Sequence, residues 1–293
     1  MGMGPKVIWV LPNVAQFNKN GRGSFQERYY EAKKLNFDAI EIPADFIKNP
    51  TEVKLTGLLI GDVLTREAIS KLYKKPSRRI SIKIKYILHT DPQARRDSKL
   101  KWYNPEWRRK FIEMLNNLIE YFEMEPYAIE IHPGTKPNSI KNITSTMAEL
   151  TEEFPRTKIL IENRTHQLIT DAFSMNKLWN MLRQEYPNIV ESGRVGIVLD
   201  VQQLFTQTGK NRILFQRHLQ IIEPEAIFGV HIHSGSRGHH TPSLKDPIPW
   251  IDVAKFLNNS LKIKEEFLIN PEVHTKSEIQ ATRLFIERSL LSL

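Results

Sequence analysis

Six times along this chain a short apolar run ends on a histidine or a carboxylate. Ser81-Ile-Lys-Ile-Lys-Tyr-Ile-Leu88 ends at His89, and Tyr127-Ala-Ile-Glu-Ile131 ends at His132, where Pro133-Gly134 breaks it. Lys158-Ile-Leu-Ile161 ends at Glu162, Val195-Gly-Ile-Val-Leu199 at Asp200, and Ile227-Phe-Gly-Val230 at His231. Phe267-Leu-Ile-Asn-Pro271 ends at Glu272. A short, nearly continuous apolar run bounded by turn residues reads as a strand buried on both faces, the signature of parallel sheets. A polar side chain at the end of such a strand is held by a rigid element and aimed beyond the sheet.

Two further runs, Lys6-Val-Ile-Trp-Val-Leu11 and Phe37-Asp-Ala-Ile-Glu-Ile42, complete eight predicted strands. Helical spacing separates them, over about Phe25 to Leu35, Thr65 to Lys75, Ile140 to Phe154 and Asp171 to Glu185, then Asn211 to Ile222, Ile251 to Leu261 and Lys276 to Leu291. One more helix starts at Asn104-Pro105, where an N-cap asparagine precedes proline at the first helical position. Trp107, Phe111, Leu115, Leu118 and Phe122 give it an apolar stripe. Successive polar strand ends lie 30 to 43 residues apart, the length of a strand-helix unit. Eight such units in a 293-residue chain predict one α/β domain over residues 1–293, a (β/α)₈ TIM barrel. All strand C-termini then surround one mouth. A doubly wound sheet is the fallback, but it does not gather reactive groups from so many strand ends.

Composition narrows the chemistry. There is no cysteine, which excludes disulfides, a disulfide-linked partner and thiolate metal sites, and fits a reducing cytoplasm. No apolar run reaches the roughly 18 residues of a membrane span, and the N-terminus lacks a signal-peptide pattern. A cytoplasmic monomer without a membrane partner is expected. The net charge of +9, from 42 Lys and Arg against 33 Asp and Glu, favours a polyanionic partner such as nucleic acid. A lysine-rich, heat-adapted proteome gives the same sign. Gly21 and Gly23 stand alone in the loop after the first strand and make a poor phosphate cradle.

Three histidines and three acids around one mouth suit Zn²⁺, Mn²⁺ or Fe²⁺, since imidazole binds the borderline metals and carboxylates can bridge two ions. Taken singly, each has a plainer explanation: a strand-end histidine is often a hydrogen-bonded core residue, and Asp200 can cap a helix. Taken together, uncompensated ionisable groups facing one another would cost several kcal/mol. Cations remove that cost.

The series resembles the endonuclease IV family of apurinic/apyrimidinic endonucleases, within the xylose-isomerase-like barrel superfamily. The likeness runs strand by strand from His89 to Glu272, with Ile131-His132-Pro133-Gly134-Thr135, Ile161-Glu162-Asn163 and Leu199-Asp200 as its best local matches. It implies that His89, His132 and Glu162 hold one ion and that Glu162, Asp200, His231 and Glu272 hold a second, with Glu162 as bridge and catalytic centre. The cofactors would be two or three divalent ions, Zn²⁺ first and Mn²⁺ as the alternative. Where the family has a histidine for a third ion this chain has Gln203, and the loop Ser236-Arg-Gly-His-His240 lacks the family's aspartate. His233, His239 and His240 remain to assemble that site, with an exposed loop pair as the plainer reading of His239 and His240; His166, His218 and His274 read as structural.

The resemblance implies a metal-dependent phosphodiesterase cleaving duplex DNA 5′ to abasic or damaged nucleotides. Two ions about 3.5–4 Å apart can activate water and stabilise the leaving oxygen. Arg95, Arg96, Lys99, Lys101, Arg108 and Arg109 follow His89 and suit a polyanion, and Trp102 and Tyr103 among them are candidates for stacking on bases or filling an abasic gap. The plainer reading is a solvated basic loop whose aromatics pack on the barrel. Phe46-Ile-Lys-Asn49 sits where the family has a DNA-penetrating loop. The rival expectations are a sugar isomerase or epimerase of the same superfamily, using one ion on Glu162, Asp200, His231 and Glu272, and a DNA-binding protein with an incomplete metal centre. A UV-damage endonuclease shares the barrel and a related metal cluster.

Overall fold

The computed structural model describes residues 6–16, 25–43, 84–89, 100–235 and 238–292. Eight strands close into one parallel barrel in sequence order: β1 (Lys6–Leu11), β2 (Ala39–Pro43), β3 (Lys85–His89), β4 (Ala128–Ile131), β5 (Lys158–Glu162), β6 (Val195–Asp200), β7 (Ile227–His231) and β8 (Glu266–Asn270). β8 pairs with β1, with Lys6 opposite Glu266, and closes the ring. The expected (β/α)₈ barrel is the observed fold. The predicted helix over Thr65 to Lys75, the Asn18–Ser24 loop and Phe46–Asn49 lie outside the described residues.

Local rules explain why the outer helices form where they do. In the helix Pro105–Phe122, Asn104 accepts the Trp107 backbone N–H (3.1 Å), Pro105 needs no hydrogen bond, and Glu123 ends the helix in the left-handed region (φ 55°). Its buried face, Trp107, Phe111, Met114, Leu115, Leu118 and Phe122, follows the 3.6 period. Each fully buried member contributes about 1.5–3 kcal/mol. Two short helices, Pro187–Glu191 and Val201–Gln207, were not separately expected. The second begins directly on the strand-end residue Asp200. The last helix stops at Phe285 and ends in a π turn over Ile286–Leu290.

One irregularity positions the mouth. Between β6 and β7 the register shifts: Ile197 faces Ile227, but Val198 faces Gly229, so Phe228 is an extra residue. This is a bulge, and it leaves His231 opposite Asp200. A Cβ on Gly196 would lie 2.1 Å from the Phe228 ring, and one on Gly229 would lie 2.6 Å from Leu268 Cβ. Both positions need glycine because a neighbouring side chain occupies the space.

At the opposite end, a polar tie crosses the barrel floor. Glu266 of β8 meets Lys85 of β3 (3.0 Å) and Lys158 of β5 (3.2 Å), and accepts the Tyr127 hydroxyl just before β4 (2.5 Å). Lys85 and Lys158 also lie over the Tyr127 ring, 3.9 and 4.3 Å from its centre.

Candidate metal centre

The six strand-end side chains do meet. His89, His132, Glu162, Asp200, His231 and Glu272 are all at most 2% exposed. The tightest group joins β3, β4 and β5: His89 Nε2 is 3.0 Å from His132 Nε2 and 3.2 Å from Glu162 Oε2, and His132 Nε2 is 2.9 Å from Glu162 Oε2. Bonds of about 2.0–2.1 Å in a tetrahedral site put ligand atoms about 3.3 Å apart. The triangle is therefore close to one face of such a site.

A second group joins β5, β6 and β7. Glu162, Asp200 and His231 offer ligand atoms within 4.8 Å of one another. His231 Nδ1 lies 3.8 Å from Glu162 Oε1 and 3.3 Å from Glu272 Oε2. Glu162 thus faces both groups. Glu272 belongs to the segment after β8, two residues past the strand.

A third group uses the residues after β7. His233 Nε2 lies 3.5 Å from Asp200 Oδ2 and 3.8 Å from Glu272 Oε2, and His239 Nδ1 lies 3.8 Å from Glu272 Oε1. The rings of His233 and His239 stack at 4.1 Å. His239 Nδ1 is 2.7 Å from the Glu272 carbonyl oxygen, so it carries the proton and leaves Nε2 free to ligate. His240 is exposed, held through its backbone pairing with Ser234, and joins no ligand group among the described residues.

Local hydrogen bonds fix these ends. Asp200 caps the following helix by accepting the Gln203 N–H on Oδ1 (2.9 Å), while its Oδ2 has no hydrogen-bond partner. Capping and ligation are therefore compatible, one oxygen for each. Asn163 bridges β5 and β6 through the Asp200 N–H (2.7 Å) and carbonyl (3.2 Å). Gln203, where the resembled family has a histidine, uses its amide oxygen to accept the Thr165 N–H (3.1 Å) and hydroxyl (2.5 Å). It is committed to that loop and is not a ligand. His218 accepts the Ala172 N–H (3.2 Å) and His274 faces the Val14 carbonyl (3.3 Å), in keeping with structural roles.

The expected stacking role of Trp102 is corrected. Its ring is fully buried against Trp107 and Phe111, and its indole N–H donates to the His132 carbonyl (2.9 Å). It braces the end of β4 from behind and cannot reach a base. Tyr103 is 40% exposed and stays available. Arg95 and Arg96 lie outside the described residues. Arg108 is tied to Glu149 (2.6 Å) and to the Trp102 carbonyl (2.7 Å).

Several members of the centre escaped the sequence reading. Glu41 of β2 and Glu130 of β4, each 1% exposed, lie among its histidines. Arg164 places its guanidinium 3.3 Å from Glu162 Oε1. Asn13 and Asn270 contact His89 (3.1 Å) and His231 (3.3 Å). Arg28 straps the loop after β1 by donating to the carbonyls of Pro12, Asn13 (3.2 Å) and Ala15 (3.4 Å).

The electrostatics call for a cation. Burial disfavours charge on every group here. Burial lowers the pKa of His89, yet Glu130 and Glu41 outweigh it and leave the pKa well above 6.5. Burial is likewise outweighed at His231 by Glu130 and Glu272, and at His233 by Asp200, so both rise. Burial raises Glu162, but Arg164, His132 and His89 hold it well below the usual carboxylate value. Glu272 is lowered against burial by His239 and His231. Protonated imidazoles thus stand in for the positive charge that the carboxylates demand. Glu41 Oε1 and Glu130 Oε1 meet only histidine ring nitrogens, and Asp200 Oδ2, both oxygens of Glu272 and both ring nitrogens of His233 have no hydrogen-bond partner. A mixed nitrogen and oxygen donor set with unpaired buried atoms fits divalent borderline metals.

No family model and no curated protein matches the chain. Its barrel fold is shared with solved structures that include xylose isomerase-like TIM barrel proteins. It matches a xylose isomerase-like TIM barrel protein from Mycobacterium smegmatis in complex with magnesium at TM-score 0.60, with 11% identity over 99% of this chain and 97% of the other. It matches the IOLI protein with a binding zinc atom at TM-score 0.55, with 13% identity over 97% and 99%. It matches L-ribulose 3-epimerase at TM-score 0.54, with 11% identity over 99% and 95%. The endonuclease IV resemblance finds no counterpart among these names. At these identities the likeness concerns the fold. Among the described residues no helix is long and apolar enough to cross a membrane.

Proposed function

We propose that this chain is a metal-dependent enzyme that isomerises or epimerises a small hydroxy-carbonyl substrate of the sugar type at the barrel mouth. One observation carries the reading: Glu162, Asp200, His231 and Glu272 converge there from four successive strand ends, with carboxylate oxygens left unpaired. It is supported by whole-length fold likeness to proteins whose names include an epimerase and two metal complexes. A divalent ion, when bound, supplies Lewis acidity toward a carbonyl and an adjacent hydroxyl oxygen.

The protein's own groups do the rest. Glu162 Oε1 and Glu272 Oε2 lie 3.8 and 3.3 Å from His231 Nδ1, so an ion held by these three would bind the substrate's oxygens at one fixed point of the mouth. Arg164 keeps Glu162 ionised and in place. His239 is 26% exposed on its side chain, while the other histidines of the three ligand groups are at most 3% exposed. With its proton on Nδ1 it offers the Nε2 lone pair to a substrate proton.

A second reading, hydrolysis of a DNA phosphodiester at an abasic or damaged site, is favoured by the His89–His132–Glu162 triangle, because a one-ion isomerase has no use for it. Gln203 and Trp102 weigh against that reading, and the +9 charge for it.

The deciding experiment pairs elemental analysis with two assays. Protein purified without added metal is incubated in D₂O with a panel of ketoses and aldoses, and proton NMR follows deuterium entry beside the carbonyl. The same preparation is offered an abasic-site duplex. Deuterium entry that Glu162→Gln abolishes supports the proposal. Duplex cleavage without deuterium entry, with two or three ions per chain, replaces it by the second reading.

A further inference from the structure

Beneath the mouth, two buried carboxylates stand behind two of the metal-facing histidines. Glu41 Oε1 lies 2.9 Å from His89 Nδ1. Its other oxygen accepts the Asn13 backbone N–H (2.7 Å) and the Asn270 amide (3.2 Å), so the carboxylate is held at both ends. Glu130 Oε1 lies 3.2 Å from His231 Nε2. The opposite ring nitrogens face the ligand groups: His89 Nε2 toward His132 and Glu162, and His231 Nδ1 toward Glu272 and Glu162.

We infer that Glu41 and Glu130 are positioning residues, each fixing the ring and the proton of one histidine so that His89 presents Nε2 and His231 presents Nδ1 to a metal ion. The inference rests on the reading of the mouth as a metal centre. An imidazole has two nitrogens, and the one that keeps the proton is set by what that proton meets. Here Nδ1 of His89 meets Glu41 Oε1 (2.9 Å) and the Asn13 side-chain amide (3.1 Å), and Nε2 of His231 meets Glu130 Oε1 (3.2 Å) and the Asn270 side-chain amide (3.3 Å); in both cases the nearer partner is the buried carboxylate. A ligating histidine backed by a carboxylate is better oriented and more basic toward metal. It also explains why two carboxylates persist in a barrel interior, where burying an unpaired charge is costly. Register places these groups on the interior face: Glu130 lies beside His89 across β3 and β4, Asn270 beside His231 across β7 and β8, and Glu41 beside Ile87, two residues below His89.

The competing arrangement makes Glu41, Glu130 and His231 ligands themselves, since their atoms lie within 4.8 Å of one another. That would require the lone pair of His231 on Nε2 and its proton on Nδ1, the opposite tautomer. The two are separable by experiment.

Metal-stripped wild-type protein is loaded with Zn²⁺ alone, and nitrogen–proton correlation spectra of the histidine rings are recorded. The proton is expected on Nδ1 of His89 and on Nε2 of His231; the reverse at either ring overturns the inference. Chelator competition then compares Glu41→Gln and Glu130→Gln. Glu41→Gln is expected to weaken Zn²⁺ about 10–100-fold at the His89–His132–Glu162 set, and Glu130→Gln by a similar factor at the His231 set. Equal loss at both sets, or no loss, overturns it. So does Glu130→Gln losing one whole ion while the mouth ions keep their affinity. If wild type takes up no Zn²⁺, the metal centre falls together with the inference. Zn²⁺ uptake with the wrong ring protons defeats the inference alone.

Discussion

Glu266→Gln tests the tie across the barrel floor. Burial raises the pKa of Glu266, but the Tyr127 hydroxyl and then the Lys85 and Lys158 ammonium groups outweigh it and hold the carboxyl at about 2, against 4.5 ordinarily. At about 1.4 kcal/mol per pH unit, that depression corresponds to about 3 kcal/mol of folding stability at most. The Glu266 side chain is 29% exposed, and its lysine partners 32% and 23%. Solvent screening reduces the contribution to about 1–2 kcal/mol. The folded pKa lies below the unfolded one, so the contribution is present in full above pH 4.5 and fades as pH falls toward about 2. Urea unfolding of metal-stripped wild type and variant, at pH 7 and at steps down to about pH 3, reads the difference directly. Wild type should be the more stable at pH 7, and the gap should narrow below pH 4.5. A gap under about 0.5 kcal/mol at neutral pH, or one that does not change with acid, refutes the reasoning.

Glu162→Gln should lose metal and turnover together, because Glu162 touches both His89 and His132 and faces His231; retained metal content would sink the shared-ligand reading. Trp102→Phe removes the indole N–H donated to the His132 carbonyl and part of a fully buried ring, and should cost about 1–3 kcal/mol, whereas Tyr103→Ala should stay within about 0.5 kcal/mol, both by thermal melting. Gly196→Ala drives a Cβ against the Phe228 ring and should destabilise by about 1–3 kcal/mol, with Phe228→Ala in the same chain recovering part of the loss. A neutral double-mutant cycle would show that the two residues do not contend for the same space.

Strand ends were legible because parallel strands packed under helices leave long apolar runs, and a polar residue breaking such a run stands out. His89, His132, Glu162, Asp200 and His231 were found that way. Glu41 and Glu130 were not, because each is a single acid inside an apolar run, and only the residue that ends a run was singled out. In a closed barrel the alternate face is the lumen, and those acids point into it. Trp102 was misread for a related reason. A basic neighbourhood in sequence suggested a nucleic-acid surface, while the fold turns the ring inward onto the stripe of Trp107 and Phe111. Arg164 and Asn13 lie in loops, where no periodicity signals which side chain turns back.

The extra residue at Phe228 splits β7 into two halves that count in opposite phase. Below it, Ile227 keeps step with Ile197; above it, every pairing is moved by one, which is how His231 comes to face Asp200. Because side chains alternate with period two, removing that residue would swap inside for outside along the upper half and carry His231 out of the centre. Length changes on this strand are therefore quantised. Two residues added or lost can preserve the centre, and one cannot, however conservative the replacement. A strand of regular pairing grafted here from another barrel of this shape would need its own odd residue before it could deliver a ligand to the mouth.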